Sequence, residues 1–232
     1  MIQEPAFIWN EHNKPMPGDK RVIGVDEAGK GDFFGPLVVA GVLSKESEDT
    51  RLRTYGVRDS KLISDNKILV IDEQLRVVFP HFVIEIAPME YNREYKKIKN
   101  LNKLLANLHA QVIKEIHSKH KADKIVIDKF GKTELVEKAL SKLKIKLELF
   151  QIERGERHAP VAAASILARA GFIRAMDRLS DELGMLIPKG SSSQVDETAR
   201  RIVRKFGDKA LLKLSKVHFK NYNRVLSPNL FS

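Results

Sequence analysis

Cysteine is absent from the 232 residues of the chain, which excludes a disulfide framework, a thiol nucleophile, and thiolate ligation of zinc or an iron–sulfur cluster. Long apolar runs are missing too, since none approaches the ~20 residues that a membrane-spanning helix requires. Residues 1–20 lack the apolar core of a secretory signal and carry Pro5, Pro15, Pro17 and several charges instead. The expected setting is therefore the cytoplasm, with no membrane partner. Acids are in the minority: 30 Asp and Glu face 41 Lys and Arg, and the net charge of +11 favours a polyanionic partner. What is plentiful is ordinary globular material. A hydrophobic share of 43% beside 31% charged residues excludes wholesale disorder, and the length suffices for a core that needs no covalent staples.

Residues 1–20 read as an irregular, proline-punctuated lead-in, and the first expected strand covers 21–25. After Gly29, Gly31 and Gly35, the run PLVVAGVL at 36–43 is β-branched and nearly all apolar, as in a strand covered on both faces. The two strands are expected to pair as a hairpin. Apolar spacing predicts a helix over 62–78 and a strand over 82–86. From 92 to 117, Ile98, Leu101, Leu105, Leu108, Val112 and Ile116 recur at steps of three and four, which predicts one amphipathic helix. KIVI at 124–127 reads as a buried strand ending at Asp128, 133–143 as a helix, and 145–150 alternates like an edge strand. A long helix over 161–183 stops at Gly184, PKGSSS at 188–193 is loop-like, 195–206 is helical, and the tail after Lys209 is basic. Strands alternating with helices indicate an α/β class, with 21–232 as one domain whose C-terminal part is helical.

The most informative segment is GVDEAGKGDFFGP at 24–36, which sets two adjacent acids at the end of an apolar strand and then three glycines. Neighbouring side chains of a regular strand point to opposite faces, so Asp26 and Glu27 are expected to share a site only where the strand ends and turns. Two phosphate-binding patterns fail here. A P-loop needs Ser or Thr after its lysine, and Lys30 is followed by Gly31; a dinucleotide fingerprint needs glycine where Phe34 stands. Carboxylates held a few ångströms apart raise one another's pKa and call for a cation. With oxygen ligands, no cysteine and no paired histidines, that cation is expected to be Mg2+ or Mn2+. An ordinary hairpin turn with solvated acids is the plain alternative.

The same string closely resembles the signature of type 2 ribonucleases H, the prokaryotic ribonuclease HII and HIII family, and GDFFGP is similar to the HIII branch. Further similarities follow in order: Asp59-Ser60-Lys61, KNLNKLL at 99–105, Ile127-Asp128, VAAASILAR at 161–169, and Pro188-Lys189-Gly190 followed by Gln194-Val195-Asp196. The resemblance covers nearly the whole chain from Arg21. HIII enzymes ordinarily carry an N-terminal substrate-binding domain, which the short stretch before Arg21 is not expected to encode.

This resemblance implies an RNase H-like fold, a mixed β-sheet flanked by helices. It also implies hydrolysis of the RNA strand of RNA–DNA hybrids, leaving 5′-phosphate and 3′-hydroxyl ends, by four carboxylates that hold two metal ions. Asp26 and Glu27 match the first two carboxylates, and Asp128 the third; its position at a strand carboxyl end agrees with where α/β sheets build sites. For the fourth, Glu156 is the nearest equivalent and Glu153 the alternative. Gly29-Lys30-Gly31 matches the family's substrate-reading glycine motif, where missing side chains let the backbone approach the 2′-hydroxyl that distinguishes RNA from DNA. Lys30 and Lys61 are candidate phosphate contacts. Lys96, Lys97, Lys99 and Lys103, read as one helix, and Lys213, Lys216 and Lys220 in the tail are candidate phosphate clamps. His158 and His218 are candidates for proton transfer or a phosphate contact, and no obligate protein partner is evident. Two competing readings are a noncatalytic nucleic-acid-binding module of the same fold and a metal-dependent nuclease acting on branched DNA.

Overall fold

The computed structural model describes residues 19–227, so the lead-in expected over 1–20 lies, apart from its last two residues, outside the described residues. The elements run β1 (Arg21–Ala28), β2 (Leu37–Lys45), α1 (Asp49–Thr54), α2 (Asp65–Val78), β3 (His81–Ile86), α3 (Pro88–Ile98), α4 (Leu101–His120), β4 (Lys124–Asp128), α5 (Thr133–Lys142), β5 (Glu148–Ile152), α6 (Ala159–Leu183), α7 (Ser193–Phe206), α8 (Asp208–Leu214) and α9 (Lys220–Leu226). The strands form one mixed sheet in the order β3-β2-β1-β4-β5. β1 pairs antiparallel with β2, as the expected hairpin, and parallel with β4, which in turn pairs parallel with β5.

The central strands are apolar at nearly every position because both faces of the sheet are covered. On β2, Val38, Ala40 and Val42 turn to the face packed by α2, α6 and α7, whereas Leu37, Val39 and Leu43 turn to the face packed by α3, α4 and α5. On β1, Ile23 and Val25 join the α4 side, while Gly24 turns to α6. This alternation, continued past Val25, sets where the acids point.

α6 is the central support of the sheet. It is long and apolar enough, by length and composition alone, to cross a bilayer, yet 78% of its most apolar window is buried inside the protein. Its small residues Ala162, Ala163, Ala164, Ala168 and Ala170 are fully buried and let the helix backbone lie close to the strands. The closest approach is at Gly24, where a Cβ would stand 2.2 Å from the carbonyl carbon of Pro160.

Three expectations are revised. The helix expected over 92–117 is two helices: Lys99 takes a left-handed conformation with φ 52°, and the Asn100 side chain caps α4 by accepting from the Lys103 amide at 3.0 Å. The apolar stripe crosses this break, with Ile98 and Leu101 both packed on the same core, so side-chain periodicity does not reveal it. β5 begins at Glu148 rather than 145, because the strand starts where it pairs with Lys124 of β4. Third, β1 does not stop at Val25; its pairing with β2 continues through Asp26, Glu27 and Ala28. The basic tail also contains the short helices α8 and α9, which carry too few turns for periodicity to register.

Because backbone rather than a flexible side chain faces Gly24, Gly24→Ala is expected to force α6 away from β1 and to cost about 1–3 kcal/mol or more. Chemical denaturation checks this; an unchanged midpoint would show that the helix shifts freely.

Candidate active site

The parallel register of β1 and β4 sets Val25 beside Ile127, so one residue further on Asp26 and Asp128 are neighbours at the carboxyl ends of adjacent strands. Both share the parity of residues facing α6. There the Ser165 hydroxyl stands beside Asp26 and favours its charged form, and Ser165 Oγ is hydrogen-bonded to Ser60 Oγ at 2.9 Å. Glu27, one position on, turns to the opposite face, where Oε2 accepts from His109 Nε2 of α4 at 3.1 Å and Oε1 from Lys30 Nζ at 3.4 Å. The two acids thus flank the sheet end on either side, and both line one cleft of about 390 Å³. Asp128 Oδ1 accepts the Gly155 amide at 2.8 Å. A Cβ on Gly155 would lie 3.0 Å from Asp128 Cα, so a side chain there would be tight and glycine lets this single 3-10 turn, Gly155–Arg157, lie close against β4. The turn brings Glu156 into the cleft lining. Glu153 is 78% exposed and paired with Lys129 at 2.8 Å outside it.

Burial, with the charges of Glu27 and then Asp128 beside it, pushes the Asp26 carboxyl up to about 7. Burial acts in the same direction on Glu27 but is outweighed by the His109 hydrogen bond and the nearby Lys30, which hold its pKa below the usual range. Negative charge is therefore only partly compensated within the cleft. Among the described residues, no three acidic or histidine side chains already close on one point as a preformed cage. The donor set nonetheless fits a hard divalent ion such as Mg2+ or Mn2+: carboxylate oxygens, no sulfur, and an uncompensated charge that a cation would relieve.

Gly29, Lys30, Gly31 and Lys61 line the same cleft. Gly29 has φ +83° and its Cβ would stand 2.2 Å from the Pro36 carbonyl oxygen, whereas nothing lies within 4 Å of a Cβ at Gly31. Lys30 also lies 5.7 Å over the Phe130 ring. The turn is tied to the 188–193 loop, because Asp32 Oδ1 accepts the Gly190 amide at 2.6 Å and the Phe33 amide donates to Gly190 at 2.9 Å.

Lys216 requires a correction. It is fully buried rather than a surface phosphate clamp, and its Nζ donates to the carbonyls of Asp32, Gly35 and Phe34 at 2.9, 2.7 and 3.4 Å. Burial lowers its pKa to about 7, opposed by the charge of Asp32. Lys96 and Lys97 lie on α3 and Lys103 on α4, separated by Lys99 at the break; these four, with Lys213 and Lys220, are exposed. His158 stands at the N-terminal boundary of α6 without a side-chain capping bond and lines a separate groove, and His218 stacks on Tyr95 at 4.5 Å. Neither lines the cleft.

Sequence reasoning missed His109, Ser165, Arg169 and Lys189. The last two both bind Asp65 at the cleft wall. A signal existed for the first two: His109 interrupts the buried stripe of α4 one turn after Leu105, and Ser165 is the lone hydroxyl in VAAASILA.

A five-stranded mixed sheet backed by helices, with acids gathered at the ends of its central parallel strands, is an α/β architecture with its site where such sheets build them. The family model of Ribonuclease HII matches residues 23–222, and the chain belongs to that family, an enzyme of the type 2 ribonuclease H class. Within it the similarity runs to ribonucleases HIII. The ribonuclease HIII of Protochlamydia amoebophila is 39% identical over 204 residues, covering 88% of this chain and 68% of that protein. That of Chlamydia trachomatis serovar L2 is 40% identical over 228 residues, covering 96% and 76%. The crystal structure of Bst-RNase HIII in complex with Mn2+ superposes with a TM-score of 0.83 at 33% identity, covering 90% of this chain and 70% of that one.

Replacing Lys216 by Met strips three buried carbonyls of their donor, and Lys216→Met is expected to destabilise the protein by about 2–5 kcal/mol. Denaturant titration measures it. A surface clamp would instead lose salt-sensitive nucleic-acid affinity at unchanged stability.

Proposed function

We propose that the chain is an endoribonuclease that hydrolyses the RNA strand of RNA–DNA hybrids, leaving 5′-phosphate and 3′-hydroxyl ends. Asp26, Glu27, Asp128 and Glu156 are its catalytic carboxylates and would hold two divalent ions, Mg2+ or Mn2+. When bound, such ions supply positive charge at the attacked phosphodiester and acidify the attacking water. The observation that carries this reading is that Asp26 and Asp128, each one residue past the last paired positions of adjacent parallel strands, line one cleft together with Glu27 and Glu156. It is supported by membership of the Ribonuclease HII family and by the Mn2+ bound to a 33% identical structural relative.

The roles divide by chemistry. The four carboxylates hold the ions, and Ser165 and the Gly155 amide keep Asp26 and Asp128 directed to the cleft. No protein nucleophile is needed. The Gly29-Lys30-Gly31 turn reads the 2′-hydroxyl through its backbone, and Lys61 and Lys30 contact phosphate. On this reading, residues 21–232 act as one catalytic domain in the cytoplasm, with a hybrid duplex as the partner and no obligate protein partner.

Asp26→Asn, Glu27→Gln, Asp128→Asn and Glu156→Gln are each expected to lower hybrid cleavage by about a thousandfold or more with the fold intact, and Glu153→Gln to retain it. Cleavage of a labelled hybrid beside single-stranded RNA, duplex DNA, a branched DNA and a duplex with one embedded ribonucleotide tests the substrate. Near-parent turnover by any of the four acid variants would remove that residue from the site. Binding without cleavage would favour the noncatalytic module, and cleavage of the branched DNA alone the junction nuclease.

Gly31→Val is expected to keep its thermal stability, because the space around that position is open, and to lose cleavage of the hybrid. Cleavage at the parent rate, with unchanged preference over duplex DNA, would refute the turn as the sugar reader.

A further inference from the structure

His109 is fully buried on α4 and sits at the end of Glu27 that faces away from solvent. A carboxylate only accepts hydrogen bonds, so the 3.1 Å contact between His109 Nε2 and Glu27 Oε2 requires the proton on Nε2. The other ring nitrogen, Nδ1, is buried with no hydrogen-bond partner among the described residues. The Phe130 ring closes over the imidazole, with centroids 4.7 Å apart. An imidazole so enclosed has no second partner through which to pass a proton, which separates it from a general base or a relay. What it does have is a single donor aimed at one oxygen of one acid. With Oε2 held from below, Glu27, itself only 9% exposed, is left with Oε1 turned to the cleft, where Lys30 meets it at 3.4 Å.

We infer that His109 is a positioning residue: its Nε2–H fixes the rotamer of Glu27 and presents Oε1 to a divalent ion. This rests on the reading of Glu27 as a ligand. The arrangement answers a geometric problem created by the strand. Asp26 is short and is steadied by Ser165 and the backbone amide of Glu27 at 2.8 Å, whereas Glu27 has one more rotatable bond and faces the opposite side of the sheet. Without a fixed donor beneath it, the longer acid would sample rotamers that leave the cleft. Outer partners of this kind typically govern metal affinity or activity by 10–100-fold.

The test is Mn2+ binding to the substrate-free protein by calorimetry, with steady-state cleavage of an RNA–DNA hybrid alongside. His109→Leu keeps the buried volume apolar and removes the donor. It is expected to weaken Mn2+ binding by roughly 10–100-fold and to lower kcat by a similar factor with KM unchanged. His109→Gln, whose amide nitrogen reaches about as far as Nε2, is expected to restore most of both. Mn2+ affinity and kcat within about twofold of the parent in His109→Leu would overturn the inference, as would an equal loss in the Leu and Gln variants. Should His109→Leu fail to fold, His109→Asn replaces it, since its amide is too short to reach Oε2. Glu27→Gln is measured in parallel: if it too leaves Mn2+ affinity unchanged, the ligand reading of Glu27 fails, whereas a loss there with none in His109→Leu sinks only the positioning role.

Discussion

The in-register parallel pairing of β1 with β4 is the constraint on which the rest depends. The ladder ends at Val25 and Ile127, so the next residues, Asp26 and Asp128, come off adjacent strands at the same level and line one cleft. Burial first, then the charge of Glu27 and to a smaller extent that of Asp128, disfavour the ionised Asp26 and push its carboxyl up to about 7. The surrounding contacts read as compensations for that choice. The Gly155 amide donates to Asp128, the Ser165 hydroxyl beside Asp26 favours its charged form, and glycine at 155 eases the close approach of that backbone.

Alternation along β1 gives the neighbouring acid a different environment. Asp26 looks to α6 and Glu27 to α4, so two residues adjacent in the chain are supported by opposite layers of the protein. The layers themselves are held by apolar packing that tolerates little adjustment. α6 lies against Gly24 with no room for a methyl group, and the alanines of its inner face fill the space a larger residue would force open. The position of Ser165 relative to Asp26 is therefore a consequence of core packing about one turn away, at Pro160 and Val161.

The glycine turn is organised from a distance. Lys216, 184 positions after Asp32, places its buried Nζ within hydrogen-bond reach of three of the turn's carbonyls. Phe34 bridges to Ser215, and Asn92 of α3 binds the main chain on both sides of Lys216, accepting from Val217 at 3.0 Å and donating to Ser215 at 2.9 Å. A loop carrying Gly29 and Gly31 would be loose if left to itself. Here the C-terminal segment and the 190 loop brace its far side, leaving the face at Gly31 open to the cleft.

Local chemistry in the sequence was enough to determine the class of fold, most of the elements and the acid pair at the glycine turn, because apolar periodicity and an acid pair among glycines are properties of short segments; Glu156 and Lys61 came only through the family resemblance, and Ser165, Arg169 and Lys189 of the cleft wall were not singled out. The α3–α4 break at Lys99 escaped it, since the apolar stripe continues across a change confined to the backbone. The choice between Glu156 and Glu153 was likewise not legible, as three residues in a turn differ in direction rather than in kind. Lys216 shows the limit most plainly. In the sequence it is one lysine of a basic tail, and nothing local distinguishes it from Lys213 or Lys220. Only the tertiary structure decided that it turns inward, because burying an ammonium depends on three carbonyls contributed by a segment at the other end of the chain. The same holds for His109: a histidine in an apolar stripe is unremarkable until the folding of α4 across β1 sets Glu27 beneath it.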